Sequence, residues 1–151
     1  MPSVLFICTG NLHRSPMAEY LFKDLLTDTS GWQIASAGTY TQNGMPTNTE
    51  VQTVLKSYGI DASSHRTQIV TRRKIQNHNL VLCLASNHKE ALRAEFPDLK
   101  DRIFLLSEMV GKTDSVDDPI GGPLLEYQVT AREIKDYLTE GFDRILGLAG
   151  E

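Results

Sequence analysis

Four short apolar runs constrain the fold most: Val4 to Ile7, Trp32 to Ala35, Leu80 to Leu84 and Ile103 to Leu106. Each is too short for a helix, rich in Val, Ile or Leu, and bounded by turn residues, so each reads as a strand buried on both faces. Between and after them lie segments with helical spacing: Met17, Leu21, Phe22 and Leu25; Val51, Val54, Leu55 and Tyr58; Ala91, Leu92 and Phe96; and Ile134, Tyr137, Leu138, Phe142 and Ile145. Strand alternating with helix predicts a mainly parallel sheet. With 151 residues, 40% of them hydrophobic, the chain can close one core but not two, so residues 1–151 are expected to form a single α/β domain. Ser15 is expected to cap a helix with Pro16 in its first turn, and Gly59 to stop one after Tyr58. Residues 38–46 and 111–123 carry neither period and are rich in Gly, Pro, Asn, Asp, Ser or Thr, which marks two long loops.

Charge and cysteine usage narrow the chemistry. Fifteen Lys plus Arg against 19 Asp plus Glu leave a formal charge of −4, so the molecule as a whole does not attract nucleic acid or anionic membranes. Any anion it binds must be caught by a local site. The segment MPSVLFICTG has no basic stretch leading into a long apolar one, and no run approaches membrane-spanning length, so the expected location is the cytoplasm. Cys8 and Cys83, the only cysteines, make neither a disulfide framework nor a zinc cluster.

The first strand runs into CTGNLHRSP, Cys8 to Pro16, and then into a helix. Ligands of open parallel sheets bind at such carboxyl ends of strands. Free amides and the positive end of the helix dipole attract a dianion there, while Gly10 and Asn11 tolerate the left-handed backbone that turns amides inward. Thr9, Gly10, Asn11, Leu12, His13, Arg14 and Ser15 are thus the candidate phosphate-binding residues. Cys8 opens the loop and Arg14 closes it six positions later, a spacing that can return a planar guanidinium fork to the rim above the sulfur. A helix N-terminus and a neighbouring cation favour the thiolate, which can attack phosphorus while amides and Arg14 hold the equatorial oxygens. Ser15 can donate to the sulfur and ease its departure.

A Cys, five residues, Arg and Ser directly after the first strand resemble the low molecular weight protein tyrosine phosphatases. The resemblance extends through SAGT at Ser36 to Thr39, GMP at Gly44 to Pro46 and GIDASSHR at Gly59 to Arg66, and covers nearly the whole chain. It implies about four parallel strands, the first one central, with helices on both faces in a Rossmann-like arrangement. It also implies hydrolysis of a phosphomonoester through a phosphocysteine, without metal or other cofactor, on a phosphorylated protein substrate and by a monomer. Near the end stands DDPIGG, Asp117 to Gly122, where the family carries an Asp before Pro as general acid. Asp117 and Asp118 are chemically equivalent, and adjacency to Pro119 selects Asp118. An aryl oxide needs a proton to leave, and the same carboxylate can then activate water against the phosphocysteine. The family's hydrogen-bonded brace maps onto Asn11, Ser36 and His65; taken alone, His65 reads equally as a cap or surface histidine.

The chain departs from the family around the cradle. Members commonly carry a second Cys just before the Arg, where this chain has His13, so a disulfide within the loop is impossible. His13 should either point away from the cradle or, if protonated, add positive charge beside the sulfur. Leu12 at the mouth resembles tyrosine-directed members, whereas the related protein arginine phosphatases carry Thr there and share a DP, aromatic, GG arrangement that DPIGG partly matches. Ile120 replaces the usual aromatic wall after DP, and Tyr40 is the nearby candidate for the other wall. Phosphotyrosine is the favoured substrate and phosphoarginine the alternative. An arsenate reductase would need two further relay cysteines, but only Cys83 is present and position 90 is Glu90. A noncatalytic phosphoprotein-binding module would not need both Cys8 and Asp118.

Overall fold

The strand Ser3–Cys8 (β1) is buried along its entire length, and alternate side chains on it feed two separate cores. Val4, Phe6 and Cys8 face one core, Leu5 and Ile7 the other. The computed structural model describes residues 1–150. In chain order β1 is followed by α1 (Arg14–Leu25), β2 (Gln33–Gly38), α2 (Thr49–Ser57), α3 (Arg72–Gln76), β3 (Leu80–Cys83), α4 (Ser86–Glu95), β4 (Ile103–Leu105), α5 (Leu124–Glu140) and α6 (Phe142–Ala149). Short 3₁₀ segments at Pro97–Arg102 and Leu106–Val110 flank β4.

The four strands form one parallel sheet in the order β2-β1-β3-β4, with Ile7 opposite Ala37 and Cys83, and Cys8 opposite Gly38. Helices α1, α2, α5 and α6 cover one face through Met17, Leu21, Phe22, Val51, Leu55, Ile134, Leu138 and Ile145. Ile75 of α3, Leu92 of α4 and Leu99 cover the other. Each large apolar side chain buried this way contributes about 1.5–3 kcal/mol. This is the expected single α/β domain with β1 internal.

Three details differ from the sequence expectations. Only β1 and β3 are buried on both faces; the edge strands β2 and β4 keep partly exposed positions, since each has a neighbouring strand on one side only. The long C-terminal helical segment is two helices, broken at Gly141. A Cβ there would stand 2.7 Å from the Cβ of Met109, so the break allows close approach to the second 3₁₀ segment. Helix α1 begins at Arg14 with His13 as cap, two residues ahead of Ser15, whose hydroxyl is committed to other partners described below. Gly59 stops α2 as expected, with φ of +78°.

Candidate active site

The strand β1 ends on Cys8, and the chain crosses five residues before α1 starts on Arg14, so strand, loop and helix are continuous in sequence and local in space. The turn needs one left-handed residue, and that residue is Asn11, with φ of +56°; Gly10 does not share the conformation. Asn tolerates this region better than most residues, and its side chain is held from every side. Its Oδ1 accepts the backbone N–H of Gln68 at 3.0 Å, which leaves Nδ2 to donate to Ser15 Oγ at 2.8 Å and to Ser36 Oγ at 2.9 Å. The Asn11 carbonyl accepts from His65 Nε2 at 3.0 Å, which fixes the proton of that ring on Nε2. The three residues expected to brace the loop, Asn11, Ser36 and His65, therefore meet.

These bonds set the direction of the next one. Because Ser15 Oγ already accepts from Asn11, its own hydrogen is free to point at Cys8 Sγ, 3.0 Å away. On the far side Ser36 Oγ donates to Glu19 Oε1 at 2.6 Å, and Glu19 Oε2 pairs with Lys23 Nζ at 2.7 Å. Sequence reading did not single out Glu19 or Gln68, although Glu19 lies one helical turn past Ser15.

Arg14 is 6% exposed. Its Nη1 donates to the Val116 carbonyl at 2.9 Å, and its Nη2 lies 3.7 Å from Asp118 Oδ2. The loop carrying Asp118 is in turn tied to the sheet by the Val116 N–H, which donates to the Leu84 carbonyl at 2.7 Å. Roughly 110 residues separate Cys8 from Asp118 in the chain, and the fold brings the carboxylate to the rim of the same loop. Asp117 acts elsewhere: burial first, then the charges of Asp117 and Asp114, push the Glu133 carboxyl above its ordinary value.

His13 stands beside the rim carboxylate. It is 8% exposed, its Nδ1 stands 3.3 Å from Asp118 Oδ1, and its ring meets Tyr127 edge-on at 5.7 Å. Burial lowers its pKa, with Asp118 opposing that shift.

A second histidine supports the start of the loop. His88, 1% exposed on α4, accepts the Ala85 N–H at Nδ1, 3.1 Å away, so Nε2 carries the proton and donates to Thr9 Oγ1 at 2.8 Å. Burial, assisted by the Arg14 charge, pushes its pKa down to about 4 and keeps it neutral. No sequence motif marked His88; its position follows from α4 packing against β4 and β3, the strand next to β1. Gly38 is also close: a Cβ there would fall 2.5 Å from the Thr9 carbonyl oxygen. The next two residues brace the loop, Thr39 N donating to Cys8 O and Tyr40 N to Thr9 O.

The three residues expected to wall a leaving-group pocket all reach solvent. Leu12 is half-buried, Tyr40 is 84% exposed and Ile120 is 68% exposed. Tyr40 is anchored beside the loop through its N–H, and Ile120 N donates to Asp118 Oδ1 at 3.1 Å. A surface groove of about 720 Å³ along α2, lined by Gln52, Lys56 and Asp61, contains none of these groups. Among the described residues no group of three or more His, Cys, Asp or Glu could hold a metal ion, and no helix is long and apolar enough to cross a membrane.

Cys83 lies in β3 opposite Ile7, and both side chains enter the second core while Cys8 faces the first. Complete burial pushes the Cys83 thiol pKa far up. The sheet itself separates the two sulfurs.

Known proteins carry the same framework. A protein-arginine-phosphatase of Geobacillus stearothermophilus is 35% identical over 133 residues, covering 87% of this chain and 88% of the relative. The solved low molecular weight protein tyrosine phosphatase of T. tengcongensis superposes with a TM-score of 0.86 at 39% identity, covering 95% of this chain and 99% of that one. An arsenate reductase of Staphylococcus aureus is 36% identical over 133 residues, covering 88% of this chain and 90% of the relative. Residues 3–146 match the family described as low molecular weight phosphotyrosine protein phosphatase. With the parallel sheet, the strand-loop-helix around Cys8 and this match along nearly its full length, the chain belongs to the low molecular weight phosphotyrosine protein phosphatase family.

Proposed function

We propose that this protein hydrolyses phosphomonoesters on protein substrates through a phosphocysteine on Cys8. The observation that carries this reading is the 3.0 Å approach of the Ser15 hydroxyl to Cys8 Sγ, inside a loop that ends on Arg14 and is faced by Asp118. The amides of residues 9–15 and the Arg14 guanidinium bind the phosphoryl oxygens. Cys8 thiolate attacks phosphorus, and the leaving oxygen takes a proton from Asp118 as the P–O bond breaks. Asp118 carboxylate then removes a proton from water, which attacks the phosphocysteine and releases phosphate and thiolate. Ser15 stabilises the departing sulfur. Nucleophile, clamp and acid all come from one chain, which favours action as a monomer. A nucleophilic thiol with no second sulfur in reach favours the reducing cytoplasm.

Phosphotyrosine is the proposed residue. Leu12 offers aliphatic surface at the mouth, Tyr40 supplies a ring nearby, and a phenolate is the kind of leaving group that needs Asp118. Phosphoarginine is the second reading, favoured by the arginine phosphatase among the relatives and by the DPIGG segment. Arsenate reduction lacks support from this chain, because the only other thiol is sealed on the far face of the sheet.

The test uses purified protein in excess chelator with phenyl phosphate, and with phosphotyrosine and phosphoarginine peptides. Turnover is expected to disappear in Cys8→Ser; unchanged turnover would sink the mechanism. The ratio of kcat/KM for the two peptides is expected to move toward phosphoarginine in Leu12→Thr, and an unmoved ratio removes Leu12 from the specificity argument.

A further inference from the structure

We propose that His13 and Asp118 hold one proton between them, and that His13 is a positioning residue which keeps Asp118 supplied with the proton it delivers. This rests on the reading of Asp118 as general acid. The two oxygens of Asp118 have different surroundings: Oδ1 lies 3.3 Å from His13 Nδ1 and accepts from Ile120 N, while Oδ2 lies 3.7 Å from Arg14 Nη2. His13 is 8% exposed, whereas the Asp118 side chain is 33% exposed, so the pair joins a buried imidazole to a carboxylate open to substrate. The ring is held in place by the edge-on contact with Tyr127, whose hydroxyl accepts from Asn48 Nδ2 at 3.1 Å.

The charges around the pair define its resting state. His13 meets Asp118 from the 111–123 loop, Arg14 from α1, Glu50 from α2 and the Tyr127 ring from α5. Asp118 meets His13, Arg14 and, at longer range, His88. Burial and Arg14 disfavour an imidazolium; Asp118 and Glu50 favour it; burial is the largest effect, so His13 rests neutral with Nδ1 facing the carboxylate. A phosphomonoester dianion in the loop adds negative charge beside both groups and draws a proton onto the pair. Once loaded, the proton sits either on Asp118 or on His13, and two acceptors retain it to higher pH than a lone carboxylate.

The step balances. The Cys8 S–P bond forms, the P–O bond breaks with its electron pair on the leaving oxygen, and that oxygen takes the proton from Asp118. Carboxylate and neutral imidazole remain. When water attacks the phosphocysteine, its proton passes to Asp118 and the pair is loaded again.

His13→Asn places an amide N–H near the position of Nδ1 but cannot titrate, so a merely structural role would leave the pH profile in place. For phenyl phosphate, the alkaline limb of kcat/KM is expected to move toward acid by about one pH unit in His13→Asn. In protein saturated with inorganic phosphate, the NMR titration of the His13 ring is expected to move toward acid in Asp118→Asn, which removes the carboxylate charge. A limb that stays in place, or a His13 titration indifferent to Asp118→Asn, overturns the proton pair. The acid assignment is checked separately: equal losses for Asp118→Asn on phenyl phosphate and on an activated dinitrophenyl ester overturn that assignment and this proposal together. A preserved leaving-group dependence with an unmoved limb overturns the pair alone.

Discussion

Ser15 Oγ lies 3.0 Å from Cys8 Sγ and accepts from Asn11 Nδ2 at 2.8 Å, so its own hydrogen is free to donate to the sulfur. A hydrogen bond to a charged group contributes about 1.5–3 kcal/mol. Ser15→Ala is therefore expected to reduce kcat by about 10- to 100-fold. Steady-state turnover of the two proteins measures the loss. Equal kcat in the two proteins would rule out the donated bond.

Asn11→Asp preserves size but removes the Nδ2 donors. Both serine hydroxyls would then point at the new carboxylate, and Ser15 would no longer donate to the sulfur. Its loss of kcat is expected to approach that of Ser15→Ala, and the double variant to lose much less than the product of the two, since they break one chain of bonds. Multiplicative losses would mean that Asn11 and Ser15 act independently.

His88 gives the fold an acid limit. Its pKa is pushed from an ordinary 6.5 to about 4 in the folded state, so the unfolded chain binds the proton first. Stability is fully present above about pH 6.5 and declines as pH falls toward about 4, by on the order of 3 kcal/mol for this group. His13 and His78, also lowered chiefly by burial, act in the same direction. Denaturant titrations at several pH values should show the decline, and His88→Gln should flatten it. An equal slope in that variant would assign the decline to the other groups.

Oxidation of Cys8 should find no resolving thiol. Cys83 is fully buried on the opposite face of the sheet, and His13 stands where the family commonly has a second Cys. Peroxide is expected to carry Cys8 through sulfenic to sulfinic acid, with recovery by dithiothreitol confined to short exposures. Cys83→Ala should leave the inactivation rate and the recovery unchanged. A Cys8–Cys83 disulfide in the mass spectrum of oxidised protein would contradict this.

The sequence alone determined the parts of this protein whose physics is local. Four apolar runs specified the strands, and Cys8, Asn11, Arg14 and Ser15 were legible because strand, turn and helix start are contiguous. The family resemblance added Asp118, Ser36 and His65, which local pattern could not select. Some local detail was misread: Ser15 looked like a cap because its residue type fits one, but a hydroxyl takes whichever partner lies nearest, and here those are Cys8 and Asn11.

Only the tertiary structure decided how the loop is held and what faces it. Glu19, Gln68 and His88 bear on residues 9–15 through bonds whose register depends on how α1, α4 and the segment before α3 pack around β1. The meeting of Asp118 with His13 and Arg14 depends on Val116 being pinned to Leu84, just past β3, by a backbone bond. No periodicity or spacing encodes such contacts, because their partners are far apart in the chain and become neighbours only when the sheet closes.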